Sequence, residues 1–358
     1  MGLGDQVIHI SRGHNMKDNY LITGGAGFIG TNLADHYLAN SNRVTILDNF
    51  SRVGCEENVR WLQQRHGDRL AVVKGDIRRA DNCLLELVEN ADVVFHLAGQ
   101  VTVTRSVLNP REDFEVNALG TFNVLEAVRL SGAKPILVNS STNKVYGKMA
   151  DLEVNEGDSR HAYTRPCEGV PETRPLDLYS PYGCSKGIGD QYTIDYARIY
   201  GLNTIVFRQS CIYGSHQFGT EDQGWVAWFA IRAMQNLPVT IFGDGKQVRD
   251  VLYIDDLIAA YDAAIQDIAK TAGQAYNIGG GPKNTLSLLE LIRLLEHQFG
   301  RRLEYTLAER RPGDQLVYIS DIRKAKAKFG WEPRVGPAEG VAKLAEWLRQ
   351  NERLFAKL

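Results

Sequence analysis

Tyr182 and Lys186, in the stretch Tyr182-Gly183-Cys184-Ser185-Lys186, are the pair with the most chemical potential in this chain. On a helix, residues four apart share one face, so a phenol and an ammonium stand one turn from each other. A unit charge about 4 Å away, at an effective dielectric of about 20, is worth roughly 4 kcal/mol, or about three pKa units. That is enough to carry a phenol from ~10 towards neutrality, where a proton-transfer base works best. The spacing alone is common on solvated helix faces. To matter it needs a cofactor, a third group and a substrate pocket supplied by other parts of the chain.

The chain offers candidates for each. Thr23-Gly24-Gly25-Ala26-Gly27-Phe28-Ile29-Gly30 lies between an apolar run at 20–22 and a helical pattern through Leu33, Tyr37 and Leu38. Glycines there allow a tight turn and close backbone approach to a pyrophosphate, and the helix N-terminus offers free N–H groups and a positive dipole end. Asp48, followed by Asn49, ends the second apolar run. A carboxylate at that point accepts from an adenosine ribose and repels a 2′-phosphate, which favours NAD over NADP. Asp76 and Ile77 close a third run within reach of an adenine, and Ala98-Gly99-Gln100 follows a fourth with residues small enough for close approach. Ser140-Ser141-Thr142 ends a fifth, where a hydroxyl could hydrogen-bond a reacting alcohol or its carbonyl.

The elements that must position these groups alternate. Apolar strands at 20–22, 44–47, 70–73, 92–97 and 135–139 are separated by helical patterns, including 81–89 and a long one over 110–130. Repeated βα units predict an α/β fold with a parallel sheet covered on both faces, doubly wound in the Rossmann manner. A return strand at 204–208 follows the Tyr182 helix, and beyond Tyr213 the rhythm shortens into a smaller C-terminal substrate-binding lobe. The expected organisation is a leader over 1–15, a cofactor domain over 16–212 and a lobe over 213–358 interleaved with it. Residues 148–179 read as an aperiodic insertion, a lid or an assembly contact.

Composition narrows the class. The 358 residues are 44% hydrophobic and 23% charged with formal net charge −2, which suits a soluble protein and gives no bulk-charge reason for a nucleic-acid or membrane partner. Five scattered cysteines without a C-x-x-C pair, and eight histidines without an H-x-x-x-H pair, predict reduced thiols, a cytoplasmic protein and no metal. Cys184 reads as a small buried helix residue.

Taken together, Thr-Gly-x-x-Gly-x-x-Gly, His96-Leu97-Ala98, the hydroxyl-rich strand end before Val145-Tyr146-Gly147, and Tyr182-x-x-x-Lys186 resemble the extended short-chain dehydrogenase/reductase family of nucleotide-sugar enzymes. The resemblance covers nearly everything from Met16 onward. It implies bound NAD, a catalytic set of Thr142, Tyr182 and Lys186, and a supporting role for Asn117. It also implies that Arg249, in Gly243-Asp244-Gly245-Lys246-Gln247-Val248-Arg249-Asp250, grips the nucleotide diphosphate and that Arg311 and Asp314, in Arg311-Pro312-Gly313-Asp314, belong to a second nucleotide contact. Arg208, Gln209 and Gln217 could line the sugar pocket. Family dehydratases carry an acidic pair after the threonine, where this chain has Asn143, expected against the substrate, and Lys144, so dehydration is disfavoured. The motifs at 141–147, 180–187 and 222–226 look most like family members that invert C2 of a CDP-hexose. A UDP-sugar 4-epimerase and a non-catalytic NAD-binding regulatory protein are the alternatives. The family implies a homodimer or homotetramer.

Overall fold

The computed structural model describes residues 18–356 other than 81, 166 and 312, and all but the side chain of 82 among them. The leader expected over 1–15, the start at Met16, the helix start at Asp81 and Pro312 of the 311–314 motif lie outside the described residues.

Seven parallel strands form the main sheet: β1 (Asn19–Thr23), β2 (Arg43–Asp48), β3 (Leu70–Lys74), β4 (Val93–His96), β5 (Ile136–Thr142), β6 (Thr204–Gln209) and β7 (Gln274–Ile278). Their order is β7-β6-β5-β4-β1-β2-β3, so the chain reverses direction across the sheet between β1 and β4. Parallel strands need crossovers, and the crossovers here are helices that bury both faces. In β1, Tyr20 and Ile22 enter one apolar cluster and Leu21 the opposite one, the alternation that a two-sided strand demands.

The C-terminal half is interleaved with this sheet. Besides supplying β7, it contributes the helix Ile254–Gln266, whose Tyr261 stacks on Phe207 and meets Phe95 edge-on under the main sheet. The remaining elements form a second lobe. Val239–Phe242 pairs with Tyr305–Ala308, and Val248–Asp250 lies between Thr285–Ser287 and Val317–Tyr318.

The insertion at 148–179 is not a free lid. A hairpin of Val154–Glu156 and His161–Tyr163 is held to the second lobe by Arg160 on Glu290, His161 on Asp244 at 2.8 Å and the Tyr163 hydroxyl on the Val317 carbonyl. Farther along, Val170 pairs with Ser320, and the Val170 carbonyl accepts from Asn277 on β7. Its partners are distant in sequence, so local periodicity carried no sign of this clasp. Among the described residues, no helix is long and apolar enough to cross a membrane.

Candidate active site

The glycine turn sits at the carboxyl end of β1, where the strand order reverses and crevices open in such sheets. Gly24 has φ +71°, and a Cβ on it would lie 2.6 Å from the Ala98 nitrogen, so the loops after β1 and β4 meet backbone to backbone. A Cβ on Gly30 would come 2.5 Å from the Gly25 Cα, which is what seats the helix Phe28–Ala39 directly on the turn. Gly27 caps that helix without a side-chain partner for its first N–H groups, leaving them for an anion. Asp48 accepts from the Ala26 N–H at 3.0 Å and the Phe50 N–H at 2.8 Å. A carboxylate has four acceptor sites, so capacity remains for a ribose. Burial raises its pKa, opposed by those amides. The cradle therefore fits a dinucleotide.

Other expected cofactor contacts are more committed to the fold. Asn49 accepts from the Ser51 N–H, and Asp76 pairs with Arg78, whose hydrogen bonds hold its pKa low. Ile77 spends its side chain in the core over Gly120, and its carbonyl accepts from the Asn123 amide at 2.9 Å. Gln100 bonds Asp113 and Thr102 through its amide. Asn117 lies in a single π turn, Glu115–Leu119, that interrupts the helix expected over 110–130. From there it brackets the Gln100 backbone and donates to Asp113 and Ser185. Such π bulges occur often at functional sites. A Cβ on Gly99 would come 3.0 Å from the Asn117 Oδ1, so the glycine lets the loop after β4 approach Asn117 closely.

Tyr182 and Lys186 share the buried face of the helix Ser180–Tyr200, which begins with Pro181 in its first turn. The Tyr182 N–H donates to the Ser106 hydroxyl at 3.1 Å, and Tyr182 lines the same cleft as Thr142, whose hydroxyl favours the ionised phenol. The expected depression of the phenol pKa does not occur in the chain by itself. Burial is the largest influence and pushes Tyr182 up to about 12, with Thr142 and Arg52 opposing and Asp113 reinforcing. Lys186 donates instead to the Ser140 carbonyl, and burial lowers its pKa to about 8. Spacing places the two groups together, but the ammonium's partner is decided by β5.

Thr142 faces a cleft of about 390 Å³ together with Phe28, Ile29, Asn143, Lys144, Tyr182, Gln209 and Gln217. Arg249, Arg311 and Asp314 line the same cleft. Arg249 donates to Asp314 at 2.5 Å, while Arg311 pairs with Asp222 and lies 3.7 Å from the centroid of the Phe242 ring. Gln217 is buried, and among the described residues its Oε1 has no hydrogen-bond partner. Arg52 reaches over from the loop after β2 to Gln223 of the second lobe at 2.9 Å. Arg52, Ser106 and Asp113 were missed in the sequence because no motif carries them.

Arg208 is not in the cleft. Its guanidinium forms two 2.9 Å bonds with Asp190 and a third, 3.0 Å, with the Tyr146 hydroxyl, all buried. Alternation along β6 sends Gln209 the other way, to the Ser140 and Tyr261 hydroxyls. Cys184 also departs from expectation. It is exposed, with its thiol 3.0 Å from the Leu178 carbonyl.

Comparison with known proteins adds to this geometry. Residues 20–279 match the NAD dependent epimerase/dehydratase family. Over 333 residues the chain is 45% identical to the CDP-paratose 2-epimerase of Salmonella typhi, covering 91% of this chain and 98% of that protein. The crystal structure of the UDP-glucose 4-epimerase of Thermotoga maritima with UDP-glucose superposes with TM-score 0.79 at 32% identity, over 93% of this chain and 99% of that one. The UDP-glucuronic acid 4-epimerase of Bacillus cereus, in complex with UDP-glucuronic acid and NAD, also gives 0.79, at 27% identity over 93% and 99%.

Proposed function

The chain belongs to the NAD dependent epimerase/dehydratase family, and from that membership we propose that it inverts C2 of a CDP-hexose, with Thr142, Tyr182 and Lys186 as its catalytic groups. The observation that carries this reading is that Thr142 and Tyr182 face one cleft in which the next two side chains, Asn143 and Lys144, include no carboxylic acid. Expelling a sugar hydroxyl needs an acid placed to protonate it. Moving a hydroxyl proton off and back needs only a base and a hydroxyl donor. The 45% identity to a 2-epimerase supports the choice of carbon and nucleotide.

NAD, when bound, supplies the hydride acceptor and donor for the sugar carbon. Tyr182 removes the C2 hydroxyl proton and later returns it. Thr142 donates to the same oxygen and holds it through the 2-keto stage. Lys186 supplies the positive charge that makes a phenolate accessible at that depth. Arg249 and Arg311 keep the diphosphate anchored while the hexose turns over between the two half-reactions. The products balance without net oxidation.

Offering CDP- and UDP-hexoses and following C2 and C4 by NMR tests the proposal. Inversion confined to C4 ends it in favour of a UDP-sugar 4-epimerase. In deuterated water, hydride return predicts no solvent deuterium at the inverted carbon.

The reading includes a cytoplasmic homo-oligomer. Phe114, Phe122, Tyr192 and Ile199 are exposed, and Phe122 and Tyr192 line a hollow of about 660 Å³ on the outer face of the helices Gly120–Leu130 and Ser180–Tyr200. Apolar exposure of that kind supports association.

A further inference from the structure

We propose that the Lys144 ammonium grips the phosphate nearest the hexose and thereby seats C2, rather than C4, of the sugar at the Tyr182 hydroxyl. The inference rests on the nucleotide-sugar reading above and names the group that decides which carbon reacts.

Three cations face the cleft beyond Thr142, and their circumstances differ. Arg249 is paired with Asp314 at 2.5 Å and Arg311 with Asp222 at 3.1 Å. Lys144 is half-buried in the same cleft and, among the described residues, its ammonium forms no hydrogen bond or ion pair. Its electrostatic neighbours are the Arg249 guanidinium, the Asp314 carboxylate and the Cys211 thiol, and burial with the guanidinium lowers its pKa to about 8. An ammonium held beside a guanidinium, with the nearby carboxylate already bonded to that guanidinium, is left short of negative charge. A diphosphate supplies it.

Position then turns a charge contact into a choice of carbon. Lys144 is carried on the short turn Asn143–Tyr146, and its backbone N–H donates to the Thr142 hydroxyl at 3.2 Å. Lys144 lines the same cleft as Thr142 and Tyr182, so a phosphate on its ammonium is held within a lysine side chain's reach of that pair. In a hexose 1-phosphate, phosphorus is separated from C2 by three bonds, through O1 and C1, and from C4 by five bonds around the ring. Bringing the phosphate near the proton-transfer pair places C2 there and leaves C4 on the far side of the ring. An enzyme working at C4 needs the phosphate farther away, and a cation directly after the threonine would then hold the sugar out of register.

The test compares wild type with Lys144→Met, which keeps an apolar stem of similar length, and with Lys144→Arg, which restores a cation. Melting temperature and NAD content serve as checks that Lys144→Met folds. Titration with CDP and CMP reads the phosphate contact directly. Lys144→Met should bind CDP about 10- to 100-fold more weakly, with CMP unchanged, and Lys144→Arg should recover most of the loss. By NMR, Lys144→Met should also lose C2 turnover with CDP-hexose. Equal effects on CDP and CMP, unaltered CDP binding, or an unchanged rate of C2 inversion each overturn the inference. Failure of the function itself looks different: wild type inverts C2 of no CDP-hexose offered, and the diphosphate-to-monophosphate comparison still decides whether Lys144 holds a phosphate.

Discussion

The Lys186 ammonium is hydrogen-bonded to the carbonyl oxygen of Ser140 at the end of β5, although Tyr182 stands one helical turn away on the same face. The phenol is consequently governed by burial, and its pKa rises from 10 to about 12. Without ligands, Tyr182 should remain protonated at pH 10, where an ordinary phenol is half ionised. The difference ultraviolet spectrum between wild type and Tyr182→Phe at that pH should lack a phenolate band. A band already present at pH 8 to 9 would show that Lys186 acts on the phenol in the free chain.

Lys186 has its own pH signature. Burial lowers its folded pKa from 10.5 to about 8, so below pH 8 both folded and unfolded chains carry the proton and the cost of a buried charge is complete. Between about 8 and 10.5 the folded chain releases that proton first. The unfolded chain then binds more protons, and stability from this group rises with pH. Whatever the stability difference between wild type and Lys186→Met at pH 7, it should move in favour of wild type as pH climbs through this window. Denaturant melts at several pH values measure it, and a difference independent of pH removes the claim.

Thr142 faces the cleft beside Tyr182, and its hydroxyl accepts the Lys144 N–H and donates to the Asn143 amide oxygen at 3.3 Å. Thr142→Val should reduce kcat about 10²-fold, in line with the loss of one positioned donor at a developing oxyanion. Thr142→Ser should retain most activity. If the valine variant changed KM alone, the hydroxyl would be a binding group without a part in proton transfer.

The parts of the site legible in the sequence are those set by short spacing. A strand, a glycine turn and a helix can be read over a dozen residues, and so can a Tyr-Lys pair one turn apart. What escaped depends on contacts between distant segments. The Ser140 carbonyl reaches Lys186 across 46 positions, and the hairpin at 154–163 is fixed by residues more than 80 positions away. Arg208 shows a subtler limit. Strand alternation says that 208 and 209 point to opposite faces, but only the presence of Asp190 on the Tyr182 helix decides which one enters the cleft.

That assignment has a consequence for stability. Arg208 and Asp190 are both buried, and the Ser141 hydroxyl donates to the same carboxylate at 2.7 Å. Arg208→Met leaves Asp190 without its cation and should destabilise the fold by about 3–5 kcal/mol. In enzyme that remains folded, KM for the nucleotide sugar should stay near the wild-type value. A large KM increase without loss of melting temperature would return Arg208 to the substrate pocket.

Arg249, proposed to anchor the diphosphate, should give the opposite pattern. It comes from the strand Val248–Asp250 in the second lobe, while Tyr182 and Thr142 come from the main-sheet side. A diphosphate held there binds equally well before and during the reaction, since the phosphates undergo no chemistry. Uniform binding of that kind lowers KM without raising kcat. Arg249→Met should therefore raise KM about 10- to 100-fold, with a smaller fall in kcat. Arg311 should behave likewise, and Arg311→Lys should fail to rescue it, because an ammonium does not reproduce the planar stacking over Phe242. Steady-state kinetics with a CDP-hexose separate the two parameters. A collapse of kcat at unchanged KM in Arg249→Met would mean that the second lobe acts on the reacting carbon, and the division between anchoring arginines and proton-transfer groups would have to be redrawn.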